Sequence, residues 1–514
     1  MKPIHFASLL FSVFSLIFLI FPIAYLFGVA INDFRFELIS SDIFFRVIGF
    51  TYFQALISSV VSGFVGVFLT LFCSETNFVG KKIITRFCEV TFFLPTLVVV
   101  LAIIGVWGHN GWLGGLLPNH GLYGGFGILL AHVFFNFSVY FKIVGQSFSE
   151  MDRNEEKISL SLGASRWKTF WKVTFVKLRP SIFQSFLLVF LCCASSFVVL
   201  LILGGGPRFS GLETAIYQAT KVDLNIPLAV SLALIQLLAG FFIHLFYRPN
   251  QRPVIAGQSR YQTQIYWCRR SLGRQCLIVL VVGIVGVLVF LPLLNLLTSG
   301  LKGFIKLPIE ELASTLATSL ALGLKVSFLS TLIALSAAYM VQHSSVFWVK
   351  KAVSFISMLP VAVSTMVLGL AITVTFPFAS DWIQEKMWGI VCIQSLTILP
   401  LSFRILSESF SKIEKEIYFS SQSLGANALQ QLVWIELPLV KRSIGLAAAT
   451  GLGVSLGEVG AVLLFESQGR LTLPLWMFKL MGKYQFDEAQ ALGFILLLMM
   501  VVIFMVKEKW ESSL

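Results

Sequence analysis

The tetrapeptide SLGA occupies residues 161–164 and returns at residues 423–426, 262 positions later in a chain of 514 residues. Alignment of residues 127–164 with residues 389–426, without a gap, gives 12 identical positions out of 38. An internal register of this length indicates that one structural unit is present twice. The chain is therefore predicted to consist of two similar halves joined in tandem.

The composition is that of a chain that folds in lipid. Hydrophobic residues make up 57 % and charged residues 12 %, whereas soluble domains carry roughly 25 % charged residues. Twelve apolar runs have about the 20 residues that a helix needs to cross a bilayer, and lipid leaves such runs no alternative to helix. These predicted spans cover residues 8–30, 52–73, 88–107, 124–146, 182–203, 227–247, 276–298, 318–341, 352–376, 387–406, 443–465 and 489–506.

Each half carries six of these spans in the same order. With six spans in the first half, both halves begin on the same side of the membrane, so the repeats are parallel and relate by an axis along the membrane normal. The predicted fold is an all-α polytopic membrane protein with about 12 transmembrane helices in two parallel six-helix repeats. The first repeat covers residues 1–250, a basic cytoplasmic linker covers 251–275, and the second repeat covers 276–514.

The positions of the basic residues predict the orientation. With a cytoplasmic N-terminus, 27 of the 38 Lys and Arg residues fall in cytoplasmic segments and 10 fall outside, as expected when basic loops are retained inside. Both termini are then cytoplasmic. The net charge of +13 is spread over juxtamembrane loops, so it indicates membrane topology rather than a nucleic-acid partner.

The cysteines and histidines give no sign of a metal or disulfide site. None of the seven cysteines forms a CxxC pair, and the six histidines show no ligand spacing. We expect buried thiols that act as small hydrophobic groups, and no cofactor bound by this chain.

The repeated polar segment lies between the fourth and fifth spans of each half, on the predicted cytoplasmic side. Apolar residues recur at helical spacing on both sides of each glycine, which predicts two helices joined by a glycine turn. Gly163 and Gly425 would adopt the left-handed backbone that suits glycine, and Pro438 would mark the start of the next helix. One such segment is compatible with an ordinary amphipathic loop, but two in register favour a paired docking element.

This segment resembles the cytoplasmic "EAA" loop of ATP-binding-cassette importer permeases. In the second copy, Gly425 and nine further residues lead to Ile435, Leu437 and Pro438, which match the core of that loop. The first copy departs from it, because Val176 replaces the proline, and neither copy keeps the Glu-Ala-Ala opening. These departures from the loop motif leave open whether the two halves bind their partner equally.

In that family the loop forms a coupling helix that docks on an ATPase subunit. The resemblance implies this coupling role for Ser161, Leu162, Gly163, Ala164, Ser423, Leu424, Gly425, Ala426, Ile435, Leu437 and Pro438. The chain has no GxxxxGK[ST] phosphate loop. The resemblance therefore implies that ATP and Mg²⁺ bind a separate homodimeric ATPase, and that a soluble periplasmic protein delivers the substrate to a permease of the inner membrane.

Two importer groups commonly have both halves in one chain of this length, those for thiamine and for ferric iron. The stretches GILLAHVFFN at 127–136, LGGGP at 203–207 and LETAIYQA at 212–219 look like the thiamine group. The resemblance therefore implies a permease for thiamine, and its phosphates remain open as further cargo. A ferric-iron permease is the alternative that the shared layout leaves open.

Glu458 is the acidic residue placed well inside a predicted span. A carboxylate at mid-membrane costs on the order of 3 kcal/mol on insertion scales, so it usually faces a cavity or a partner. Glu458 is thus a candidate for the substrate pathway, with helix packing or gating as the alternative. A 12-helix secondary transporter would usually carry more intramembrane ionisable residues, and a membrane enzyme would need a catalytic constellation that the sequence lacks.

Overall fold

The computed structural model describes residues 3–33, 42–76, 78, 80–91, 94–116, 121–246, 272–377, 387–465 and 471–511. Within these ranges the chain is helical and contains no β-strand. Several helices include one π-helical turn, which is counted here as part of the helix. On that count the described residues form ten helices in each half.

The first half contains helices α1 to α10. Their bounds are α1, Pro3–Ser15 continued by Leu16–Ile20 and Phe21–Asp33; α2, Asp42–Glu75; α3, Lys81–Val90; α4, Thr96–Trp107; α5, Gly125–Glu150; α6, Asn154–Ser161; α7, Arg166–Thr169 continued by Phe170–Thr174 and Phe175–Ala194; α8, Phe197–Leu203; α9, Leu212–Tyr217 continued by Gln218–Val222; and α10, Ile226–Phe246.

The second half repeats this series in the same order. Its bounds are α11, Leu272–Val285 continued by Gly286–Phe290 and Leu291–Phe304; α12, Ile309–His343; α13, Phe347–Met358; α14, Thr365–Thr375; α15, Trp388–Ser411; α16, Lys415–Ser423; α17, Ala428–Gln431 continued by Leu432–Glu436 and Leu437–Gly457; α18, Gly460–Leu464; α19, Leu473–Gly482; and α20, Phe486–Glu511. The predicted duplication is therefore confirmed helix by helix.

The prediction of unbroken spans is wrong at four of the twelve places. The runs at 88–107, 182–203, 352–376 and 443–465 each contain a break. Among the described residues, nine helices are long and apolar enough to cross a membrane, or ten if the pair Phe347–Val361 and Thr365–Thr375, bent by 104°, counts as one span. Apolar length alone does not predict continuity, because a backbone break is tolerated wherever protein rather than lipid surrounds it.

The breaks fall at equivalent places in the two halves. Pro95 immediately precedes α4 and Pro360 lies in the 3₁₀ turn before α14, and proline removes a backbone donor that a continuous helix requires. The other pair of breaks separates α7 from α8 at Ser195 and Ser196, and α17 from α18 at Glu458. These two pairs of breaks line the cavity described below.

The two halves are interlocked rather than side by side. Within each half the longest helices pair, α2 with α5 and α12 with α15. Helix α1, however, packs against α12 and α14 of the second half, and α11 packs against α4 of the first. The Gln490 amide of α20 reinforces this contact, because it lies 3.2 Å from Asn295 Oδ1 of α11 and donates to the Leu101 carbonyl of α4 at 3.5 Å.

Most of the predicted basic linker at 251–275 lies outside the described residues, which resume at residue 272. The domain boundaries at residues 250 and 276 therefore stay predictions, as does the cytoplasmic location of both termini.

Candidate functional site

The two SLGA turns, residues 161–164 and 423–426, have the same backbone. Gly163 has φ +84° and Gly425 has φ +79°, in the left-handed region that strongly favours glycine. In the first turn the amides of Gly163 and Ala164 donate to the carbonyls of Leu160 and Ser159, at 3.0 and 3.1 Å. This is the Schellman arrangement, which satisfies the last carbonyls of a helix.

The second turn repeats these bonds 262 residues later. The amides of Gly425 and Ala426 donate to the carbonyls of Gln422 and Ser421, at 2.9 and 3.0 Å. The predicted helix, glycine turn and helix are therefore confirmed in both copies.

A capping side chain starts the helix after each turn. The Ser165 hydroxyl accepts a hydrogen bond from the Lys168 amide at 3.3 Å. In the second copy Asn427 and Gln430 form a reciprocal capping box, with both bonds at 2.9 Å. Such caps satisfy backbone donors that have no partner inside the helix. The turns are thus held from both sides by local bonds.

Side chains at equivalent positions also tie the two helices of each turn together. Ser159 Oγ lies 3.0 Å from Thr169 Oγ1 in the first copy. In the second, Gln431 Nε2 donates to Ser421 Oγ at 2.9 Å. Because residues 421 and 431 are residues 159 and 169 shifted by 262, both copies close the helix pair at the same place.

A second tie has different chemistry in the two copies. The Thr174 hydroxyl donates to the Glu156 carboxylate in the first. The shifted positions hold Glu436 and Tyr418, and Glu436 Oε1 lies 3.0 Å from Nε2 of His343 at the end of α12. Burial and, secondly, the Glu436 carboxylate raise the pKa of Tyr418 to about 12. Glu436 therefore brings the second copy into contact with the end of a long helix of its own half.

The tips of both turns expose large apolar side chains. Leu162 is 82 % exposed and Leu424 is 87 % exposed, and these leucines occupy equivalent positions in the two copies. Trp167 and Trp434 are similarly exposed, at 72 % and 77 %. Paired apolar groups of this kind indicate a surface that another protein covers.

The remaining predicted coupling residues are distributed around the turns. Ser161 and Ser423 end helices α6 and α16, and each hydroxyl donates to a backbone carbonyl of its own helix. Ile435 and Leu437 are half-buried and Pro438 is exposed, on helix α17 beyond the second turn. Pro438 is the second residue of the α-helical segment Leu437–Gly457, so it lies at the entry into the next span as predicted, although the π-helical turn at Leu432–Glu436 joins this segment to the helix before it.

Away from the turns, a cavity of about 170 Å³ lies where the broken helices of the two halves meet. We call it the break cavity. Thr96 and Thr365, the first residues of α4 and α14, both line it. The other lining residues are Cys192, Ser195, Ser196, Phe197, Val198, Glu213, Met366, Gly457, Glu458, Val459 and Gly460. Equivalent breaks thus place equivalent residues around one space.

Glu458, the predicted pathway residue, lies in this cavity. Its Oε1 accepts hydrogen bonds from the Gly460 and Ala461 amides, at 2.9 and 3.4 Å. The carboxylate therefore also caps the short helix α18, and its side chain is half-buried rather than fully enclosed. The position agrees with the prediction that Glu458 faces a cavity.

A second carboxylate in the cavity escapes sequence reasoning. Glu213 is 2 % exposed and is the second residue of α9. The Gln236 amide of α10 donates to its carboxylate, and the Ser364 hydroxyl also hydrogen-bonds to it. In the sequence Glu213 stands between two apolar runs and is indistinguishable from a loop residue. An available signal is Gln236, a polar side chain inside the next apolar run.

Among the described residues, no group of three or more His, Cys, Asp or Glu side chains is arranged to hold a metal ion. The described residues instead present two surface turns and a cavity at the breaks in the helices.

Comparisons with known proteins match this arrangement. The family model described as "Binding-protein-dependent transport system inner membrane component" matches residues 62–256 and again residues 330–507. The chain is 28 % identical over 479 residues to the thiamine transport system permease protein ThiP of Haemophilus influenzae. The aligned residues cover 90 % of this chain and 88 % of that protein. The chain is similarly 28 % identical over 482 residues to ThiP of Escherichia coli and 29 % identical over 483 residues to ThiP of Salmonella typhimurium, with the same coverage.

The family model covers both halves, in the same tandem order as the two sets of ten helices. The chain therefore belongs to the family of binding-protein-dependent transport system inner membrane components.

Proposed function

We propose that this chain is the permease subunit of an ATP-driven importer that carries thiamine across the inner membrane. The observation that supports the cargo most strongly is the similarity to thiamine transport permeases over about nine-tenths of both chains. None of these relatives supports the ferric-iron alternative. Membership of a family of binding-protein-dependent transport components argues against the secondary-transporter alternative. Free thiamine is the proposed cargo, with its phosphates as a further candidate.

A separate homodimeric ATPase is the proposed partner of the SLGA turns. The paired turns present equivalent exposed leucines, Leu162 and Leu424, on rigidly capped backbones. A dimer with two identical docking clefts would engage two such turns at once. ATP and Mg²⁺ would bind that subunit, and the turns, facing the cytoplasm, would transmit its closure to helices α7 and α17.

The proposed transport cycle is alternating access. A loaded periplasmic binding protein docks outside, ATP brings the ATPase subunits together, and the turns move with them. Helices α7 and α17 run from the turns to the breaks at Ser195 and Glu458. Movement of the turns would therefore reshape the break cavity directly, and open it first to the outside and then to the cytoplasm.

The cargo is tested by uptake into cells that lack their own thiamine and ferric-iron importers. The cells express this chain with its cognate ATPase and binding protein, and receive labelled thiamine or labelled ferric iron. We expect accumulation of thiamine that stops when ATP is depleted. Accumulation of iron without thiamine would overturn the cargo while leaving the architecture intact.

The coupling role is tested separately by Gly425→Pro. Proline cannot adopt φ +79°, so the turn changes shape while the apolar spans are untouched. We expect normal abundance in the membrane and ATP hydrolysis that is uncoupled from uptake. Gly80→Pro is the matched control, because Gly80 also has positive φ (+90°) but lies between α2 and α3. Near-normal uptake by Gly425→Pro at equal abundance would rule out the docking role.

A further inference from the structure

We propose that the break cavity binds the positively charged ring of the cargo during transfer, with Glu213 and Glu458 as its two counter-charges. This inference rests on the proposed function, because thiamine carries a permanently cationic thiazolium ring. It assigns a role to Glu213, and it joins a residue from each half in one site.

The ionisable residues that line the break cavity are acidic. Among the described residues that line it there are two carboxylates and no Lys, Arg or His. The groups that hold these carboxylates are neutral donors: an amide and a hydroxyl at Glu213, and backbone amides at Glu458. Such donors orient a carboxyl group but supply no positive charge that would stabilise its ionised form. Because burial penalises an ionised carboxyl group, a cation entering the cavity would favour the charged form of both acids.

The size and walls of the cavity favour a single ring. A cavity of about 150 Å³ holds one benzene molecule in another protein, and the break cavity has about 170 Å³. A whole drug-sized ligand usually requires 300 Å³ or more, so this state of the protein accommodates one ring of the cargo. Phe197 and Met366 supply apolar walls, and an aromatic face attracts a cationic ring.

The comparison between halves separates this role from a purely structural one. Ser196 occupies the position equivalent to Glu458, 262 residues earlier, and helix α8 still begins after it. Likewise Pro474 is the second residue of α19, as Glu213 is of α9. The breaks and the short helices therefore form without an acid in the other half. The two carboxylates are not required by the repeated fold.

The first test measures the electrostatics of the cavity through a thiol that is already there. Cys192 is exposed and lines the cavity. The permease–ATPase complex carries Cys276→Ser, which removes the other exposed thiol of the described residues, and Cys268→Ser, which removes the thiol that lies outside them. Modification of Cys192 by a cationic and by an anionic methanethiosulfonate is then followed. Each rate is normalised to that of a free small thiol. We expect the cation-to-anion ratio to fall at least tenfold in Glu213→Gln plus Glu458→Gln.

Glutamine keeps the size and the acceptor oxygen of glutamate, so the hydrogen bonds to Gln236, Ser364 and the α18 amides can persist. Glu311→Gln is the matched control, because Glu311 is an exposed acid at the start of α12, away from the cavity. We expect no change in the ratio for this control. An unchanged ratio in the double variant would overturn the proposal.

A second measurement requires no variant at the acids. Millimolar thiamine is expected to slow cationic modification of Cys192 at least threefold in the otherwise native complex. A neutral analogue with a thiophene ring in place of the thiazolium is expected not to do so. Equal protection by both compounds, or by neither, would overturn the proposal.

The outcomes also separate this inference from the proposed function. Uptake of thiamine without charge dependence at Cys192 would overturn only the role of the two carboxylates. Failure of the wild-type complex to import thiamine would overturn the proposed cargo, and with it the ligand assigned to the cavity.

Discussion

The two SLGA turns have one backbone and two different chemistries. Residues 154–174 contain four basic and two acidic residues, a net charge of +2, whereas the equivalent residues 416–436 contain two acidic and no basic residues, a net charge of −2. The first copy clusters Trp167, Phe170 and Trp171, where the second has Leu429, Leu432 and Val433. Glycine, the capped helix start and the exposed leucine are common to both. The shared part is therefore the candidate for recognition, and the charges are free to diverge.

The largest effect is expected where the copies agree. Leu162→Asp together with Leu424→Asp places a charge on each exposed tip, where the apolar group is proposed to contact the ATPase. Substitutions of exposed side chains usually change stability by less than about 0.5 kcal/mol, so the permease should still fold. We expect co-purification of the ATPase to fall more than tenfold. Ile309→Asp, at the equally exposed first residue (80 %) of α12, should retain the ATPase. Unchanged co-purification by the double variant would contradict a shared docking tip.

The next effect concerns the glycines. Alanine at Gly163 or Gly425 meets no atom within 4 Å, so the penalty comes from the left-handed backbone and is about 1–2 kcal/mol. We expect each single variant to reduce thiamine transported per ATP hydrolysed by a similar factor of about 3 to 10. A defect in one copy alone, measured in proteoliposomes, would show that the halves grip the ATPase unequally.

A smaller effect, on stability, is expected from the contact of Thr174 with Glu156 in the first copy and that of Glu436 with His343 in the second. Glu436→Ala removes a 1 % exposed carboxylate 3.0 Å from His343, and the loss of a buried polar partner costs about 1–3 kcal/mol. Thr174→Ala removes one hydrogen bond to Glu156, worth about 1 kcal/mol. We expect a larger drop in the thermal unfolding midpoint for Glu436→Ala. A larger drop for Thr174→Ala would show that the contact of Glu436 with α12 is not the more stabilising of the two.

The smallest effect is expected at the Lys177–Glu155 ion pair. Its atoms are 2.6 Å apart, but the side chains remain 33 % and 53 % exposed, and exposed pairs contribute about 0–1 kcal/mol. Lys177→Met should leave both the unfolding midpoint and thiamine uptake unchanged. A clear loss of uptake would mean that the basic charge of the first copy is itself part of recognition.

The sequence predicts the repeat, the helical class and the turns because each has a local signal. A glycine between two helical patterns, found twice at positions 262 residues apart, can be recognised without knowing how the helices pack. The broken spans are different, because the breaks at Ser196 and Glu458 interrupt runs whose apolar length is that of a complete span. Their tolerance depends on neighbouring helices, which the sequence does not specify.

The same distinction applies to the two carboxylates. Glu458 can be found because it interrupts an apolar run. Glu213 stands between apolar runs, and the packing of α9 against α10 and the start of α14 brings it into the cavity. Its one signal in the sequence is the polar Gln236 inside the next run. The crossing of α1 and α11 to the opposite halves is likewise a property of tertiary packing. It has no counterpart in residue spacing.

The most direct test of the account measures ATP hydrolysis and thiamine accumulation in the same proteoliposomes. They contain the permease, its ATPase and the loaded binding protein, with either the wild-type chain or Gly163→Pro plus Gly425→Pro. We expect coupled accumulation in the wild type and a more than tenfold loss of thiamine transported per ATP in the double variant. Accumulation at the wild-type ratio in the double variant would contradict it.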